Sequence, residues 1–140
     1  MTLTVTPITD NPSIPVSAAQ TYLPDQLVLD PKTIVTLNVT MAQYATAVSQ
    51  RGTVVGKVTA SGNYLPSKTS AVDGSQTPVG ILVDQCDSTL GVQNCGIYVM
   101  GEFNQNALII DATWTLANIV AALLSYKIIC KLPVSAADPN

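Results

Sequence analysis

Two stretches decide the fold of this 140-residue chain: PVGILV at 78–83 and GIYVMGEF at 96–103. The first is apolar at every position, too apolar for a strand with one wet face, so it reads as a central strand buried on both sides. The second reads as its neighbour, and the two together make the core. Working outward, LVL at 27–29, TIVTLNV at 33–39 and TVVGKVTA at 53–60 are bounded by Pro, Gly, Asp or Asn, the pattern of short strands joined by tight turns. Ser61-Gly62-Asn63 and Asp73-Gly74-Ser75 are turn clusters, each glycine supplying a backbone angle that β-branched residues resist. One helix is predicted over 114–126, where Leu116, Ile119, Val120 and Leu123 share a face. Thr113 caps it, with Asp111 near its positive end and Lys127 near the other. Trp114, Ile119 and Leu123 are packing residues in this reading. A last strand at 128–130 precedes a polar tail. The expected architecture is a mainly β, compact single domain with one short helix in its C-terminal half.

The first twenty residues differ in kind. They carry a single charge, Asp10, and Pro7, Pro12 and Pro15 break any helix and remove ladder donors. Residues 1–20 therefore read as an extended N-terminal arm, ahead of a domain at 21–140. Within the arm Leu3 and Val5 point one way and Thr2, Thr4 and Thr6 the other, the period of a short strand that can add to another protein's sheet edge. A frayed terminus is the plain alternative from composition alone. The opening residues lack the basic start and apolar run of a secretory leader.

Composition narrows the function. Charged residues make up 11% of the chain, less than half of the roughly 25% usual in soluble domains, which suggests that much of the surface ends up facing protein. The net charge is −3, and Arg51, Lys57 and Lys68 stand apart from one another. Nucleic-acid binding is not expected, because neutralising phosphates requires clustered Lys and Arg. The longest uncharged apolar stretch, 112–126, is interrupted by Thr113, Thr115, Asn118 and Ser125 and falls short of the ~20 apolar residues of a membrane helix. No membrane association is expected.

Catalytic chemistry is largely closed. Without histidine there is no Ser-His or Cys-His nucleophile and no mixed zinc site. Cys86, Cys95 and Cys130 lack CxxC spacing. They read as buried structural thiols, a bridge between Cys86 and Cys95 being the alternative, one that needs oxidising surroundings. An enzyme using one of these thiols is the catalytic alternative that remains. Ser61 and Ser67 lie near Lys68, but a Ser-Lys pair needs a desolvated lysine, and this turn-rich stretch should be wet. The run Gly52-Thr53-Val54-Val55-Gly56-Lys57-Val58 is one residue short of a phosphate-binding loop and has Val58 where Ser or Thr would ligate magnesium. Glu102, the only glutamate, has no adjacent second acid. No catalytic residue, metal or cofactor is expected.

Four blocks in order, TYLPDQLV at 21–28, RGTVVGKVT at 51–59, DGSQTPVGIL at 73–82 and GEFNQNAL at 101–108, resemble the head decoration proteins of lambda-like tailed phages. The similarity covers about 21–131. Its motif residues here are Tyr22, Pro24, Gly52, Gly56, Asp73, Gly74, Pro78, Gly101, Phe103 and Asn104. Gly80 stands where such proteins often have alanine, and the loop between Cys86 and Cys95 has no family role. The resemblance implies a β-clip-like subunit without catalysis, forming a homotrimer on the outer surface of the expanded capsid at three-fold and quasi-three-fold positions. It further implies synthesis in the host bacterial cytoplasm and the major capsid protein as partner, contacted by an arm that includes Thr2, Leu3, Thr4, Val5, Thr6 and Ile8. The alternative within the virion is a host-attachment or glycan-binding module that uses Tyr22, Tyr44, Tyr64 and Tyr98 as stacking residues.

Overall fold

A computed structural model describes residues 26–133. The arm at 1–20, with Tyr22 and Pro24, lies outside the described residues.

Six strands form one sheet: β1 (Val28–Met41), β2 (Val54–Lys57), β3 (Tyr64–Pro66), β4 (Pro78–Leu82), β5 (Gln93–Asn104) and β6 (Ile128–Lys131). The single helix of the described residues longer than one turn, α1 (Leu116–Leu124), precedes β6. Strand β1 runs antiparallel to β5, from Val28 opposite Phe103 to Met41 opposite Gln93. On its other edge β5 pairs first with β4, through Ile97 and Tyr98, and then with β6 in parallel, through residues 101–104. Strand β4 pairs with β2, β2 with β3, and β3 returns to β1 where Met41 meets Tyr64. Five strands thus close on themselves, and β6 extends the far part of β5.

The continuous apolar run of β4 follows from this closure. Consecutive residues of a strand face opposite sides. Ile81, Tyr98 and Val54 point to one core with Phe103, Ile119, Leu123 and Ile128, while Leu82, Ile97 and Val55 point to a second with Val39, Met41 and Cys86. Both sides of these strands are therefore dry, as the apolarity of PVGILV demanded, and β4 and β5 are neighbours as expected. The helix covers the first core by burying Ile119 and Leu123.

Several boundaries differ from the sequence-based expectation. LVL and TIVTLNV are one strand: Pro31 is accommodated in a bulge between Asp30, opposite Glu102, and Val35, opposite Met100. The Asp30 carboxylate accepts from the Lys32 N–H at 2.9 Å within it. Gly101 lies across from the bulge with φ +143, an angle that residues with a side chain rarely adopt, so the backbone there calls for glycine. TVVGKVTA stops as a strand at Lys57, and the short strand at Tyr64–Pro66 follows the turn.

The helix is shorter than predicted and starts later. Thr115, not Thr113, is its cap, its hydroxyl accepting from the Asn118 N–H. Thr113 is held elsewhere: its N–H and hydroxyl donate to Asp111, and its hydroxyl and carbonyl accept from Thr69. Lys127 adopts φ +62 and turns the chain from α1 into β6. No described helix is long and apolar enough to cross a membrane.

Candidate interaction surface

The family-motif residues that are described sit where backbone meets backbone. Gly56, in β2, faces the 73–77 turn so closely that a Cβ would lie 2.1 Å from the Ser75 carbonyl oxygen and 2.7 Å from that of Thr77. Gly74 has φ +104, and a Cβ on it would meet Thr59 Oγ1 at 2.2 Å. The turn is fastened from within, the Asp73 carboxylate accepting from the Ser75 N–H at 3.0 Å and its hydroxyl at 2.6 Å. It is fastened from outside by the Thr59 N–H on the Asp73 carbonyl, and fully buried Pro78 then opens β4. Gly52 lies against the Ala107 carbonyl, 2.9 Å from where a Cβ would stand. Phe103 is fully buried with its ring centroid 5.1 Å from that of Tyr98. Buried Asn104 donates its N–H to the Leu27 carbonyl and accepts from the Asn106 N–H on its side chain. These seven residues, with Gly101 across from the β1 bulge, build the domain.

Polar clusters are spent on turns in the same way. Asp73, Asp87 and Asp111 each accept from the N–H and hydroxyl of the Ser or Thr two residues on. For Asp73 and Asp87 the hydroxyl from Ser75 or Thr89 is the main cause that holds the carboxyl below its ordinary range; for Asp111 it is the Thr113 N–H, with Lys68 adding a smaller pull. Ser67 is buried, contrary to the wet turn expected of it, and its hydroxyl has no hydrogen-bond partner among the described residues. The Lys68 ammonium instead lies 3.9 Å from Asp111 and over the Tyr44 ring. The stretch that resembled a phosphate loop is β2 with its lead-in.

Cys86 and Cys95 are bonded to each other, which corrects the free-thiol reading for that pair. Tertiary pairing brings them together: Cys86 bridges to Ser49, and Cys95 stands opposite Val39 in β1. Cys130 is free and buried, and desolvation pushes its thiol up to about 11. The reactive thiolate is the scarce form there.

Several large apolar side chains are exposed among the described residues. Leu124, Tyr126, Ile129 and Leu132 follow one another through the end of α1 and β6, Val35 and Leu37 project from β1, and Leu90, 97% exposed, tips the disulfide-closed loop with Val92. Among the described residues β6 pairs only with β5, and β1 meets β3 only near Met41. Unpaired edges beside apolar side chains are surfaces for protein contact. Of the tyrosines read as stacking residues, Tyr98 is 6% exposed and Tyr44 has the Lys68 ammonium 5.3 Å from its ring centroid, while Tyr22 lies outside the described residues. These exposed side chains and unpaired edges were not singled out from the sequence, because exposure of an apolar residue depends on what the rest of the chain covers.

The described residues thus form a closed β body packed on both faces, whose acids lock turns and whose surface carries several apolar side chains. Residues 16–129 match the family described as bacteriophage lambda head decoration protein D, and a search of the curated proteins finds no match. The class that fold and comparison define is a structural protein that decorates a phage head. The chain belongs to the lambda head decoration protein D family.

Proposed function

We propose that this chain is a homotrimeric cement subunit, bound to the outside of the expanded capsid at three-fold and quasi-three-fold sites, where it stabilises the shell against internal DNA pressure. The observation that carries the reading is the family match over most of the chain. In this reading it is not an enzyme, and its partners are two further copies and the major capsid protein. The protein is made in the host cytoplasm and works on the virion surface. The arm supplies the grip: Thr2, Leu3, Thr4, Val5 and Thr6 add as a strand to a capsid-protein sheet edge, main-chain hydrogen bonds giving affinity and Leu3 and Val5 specificity, with Ile8 a further arm contact.

A closed three-fold arrangement presents three arms, so docking of one raises the effective concentration of the others, and avidity exceeds a single arm's affinity by about 10²–10⁴. Binding that selects the expanded lattice adds its free energy to shell stability. The sparse charge supports this, because neutral contacts avoid the cost of desolvating ions. Deletion of residues 1–15 is expected to leave a folded trimer by sedimentation and circular dichroism that no longer binds expanded capsids. Undiminished binding would remove the arm from the mechanism, and a monomer at micromolar concentration would remove the trimer.

A further inference from the structure

The loop closed by the Cys86–Cys95 bond is a fixed knob. Its root is held on the 43–49 segment: Ser49 and Cys86 exchange backbone hydrogen bonds at 3.0 and 2.8 Å, the Tyr44 N–H donates to the Ser88 carbonyl at 3.0 Å, and the Gln43 side-chain amide donates to the Thr89 carbonyl at 3.1 Å. Asp87 fastens the next turn by accepting from the Thr89 N–H and hydroxyl. The tip beyond these bonds is apolar, with Leu90 97% and Val92 62% exposed. At that exposure Leu90 adds nothing to the core of its own chain. A loop already ordered at its root gives up little further conformational freedom when a partner buries its tip.

The same 43–49 segment forms one wall of a groove of about 200 Å³, where Tyr44 and Val48 line it together with Pro66, Ile109 and Ile110. The groove is smaller than the roughly 300–1,000 Å³ of small-molecule sites and has room for one or two aliphatic side chains. Leu90 does not enter the groove of its own chain, since almost all of it is exposed. Charge agrees with a match between copies. The loop carries Asp84 and Asp87 and no cation, while Lys68 stands beside the groove with its ammonium over the Tyr44 ring and 3.9 Å from Asp111.

We propose that Leu90 and Val92 of one copy seat in the groove of the next, against Val48, Pro66 and Ile109. Knob and groove are different surfaces, so the contact is head-to-tail, and its repetition closes a ring or runs on as a filament. Because one segment carries both, each copy meets its two neighbours at adjacent sites, which favours closure in a small ring. The inference rests on the proposed homotrimer and names the contact that closes it.

Sedimentation of the full-length protein tests it, with the wild type expected as a trimer. Leu90→Asp and Ile109→Asp, both at exposed positions, should stay folded by circular dichroism and raise the concentration of half-dissociation at least about tenfold. Should Ile109→Asp not fold, Ala47→Arg, at an exposed position of the wall, blocks the groove instead. Mixed one to one, the knob variant and the groove variant should form a pair that neither forms alone, because the intact loop of one still meets the intact groove of the other; a folding defect is not rescued by mixing. A wild-type trimer that both variants retain, or a mixture that stays monomeric, would overturn the inference and leave the homotrimer standing. A wild-type monomer or dimer would overturn both.

Discussion

Gly56→Ala tests the claim that the 73–77 turn is clamped onto β2 by a missing side chain. The new methyl would stand 2.1 Å from the Ser75 carbonyl oxygen, whereas ordinary contact begins near 3.4 Å, so the turn must retreat by about 1.3 Å. Rotation of a side chain gives no relief, because the opposing atoms are backbone. The retreat strains the Thr59 N–H bond to the Asp73 carbonyl at 2.8 Å and the Thr77 N–H bond to the Gly74 carbonyl at 3.2 Å, each worth about 1 kcal/mol. Overpacking adds roughly 1–3 kcal/mol, and the lower chain entropy of alanine returns roughly 0.5–1 kcal/mol. The net loss is about 3 kcal/mol, which for a domain of this size lowers the melting temperature by roughly 10–15 °C. Gly80→Ala is the control: its nearest obstacle, at 2.8 Å, is the mobile Cδ1 of Ile97, although the Tyr98 carbonyl oxygen lies at 3.1 Å, and the loss should stay below about 1 kcal/mol. Calorimetry of both variants decides it. Equal melting temperatures would show that the turn is not held against β2 as described.

Acid should weaken the protein through three carboxylates. Asp73, Asp87 and Asp111 have folded values below the ordinary 3.8, so the stability they supply is present above that pH and lost as pH falls through the folded values. The melting temperature is expected to fall below about pH 4, and a triple Asp→Asn variant at these positions should show a shallower decline; parallel curves would refute the assignment. Reducing the Cys86–Cys95 bond, which spans nine positions, should cost about 2.5–3 kcal/mol by loop closure, read as a lower denaturant midpoint with β5 still protected from exchange. With that bond intact, Cys130 should resist alkylation in the folded protein and expose one thiol per chain on unfolding; rapid labelling of the native state would contradict its burial.

Particular residues show how much was legible beforehand. Strands β4 and β5 were readable because a strand dry on both sides has no polar alternation, a property of its own composition. Helix α1 was legible in its apolar face but not its start, since Thr113 and Thr115 both suit a cap and the choice lies in Thr113's bonds to Thr69, 44 positions away. The bridge between Cys86 and Cys95 was open for the same reason: their approach depends on pairing with Ser49 and Val39. The decoration motifs were readable as blocks, yet why Gly56 must be glycine emerged only when the 73–77 turn was seen against it.

The sequence by itself determined the β class, the central strands, the helix face and the family, because each is written in local pattern or ordered motif. Only the tertiary structure decided that five strands close on themselves, that the cysteines join, and which apolar side chains remain outside. Those outcomes depend on contacts between residues far apart in the chain: even the two cysteines, nine positions apart, are set by the pairing of Cys86 with Ser49 and of Cys95 with Val39, and no local window contains those pairs.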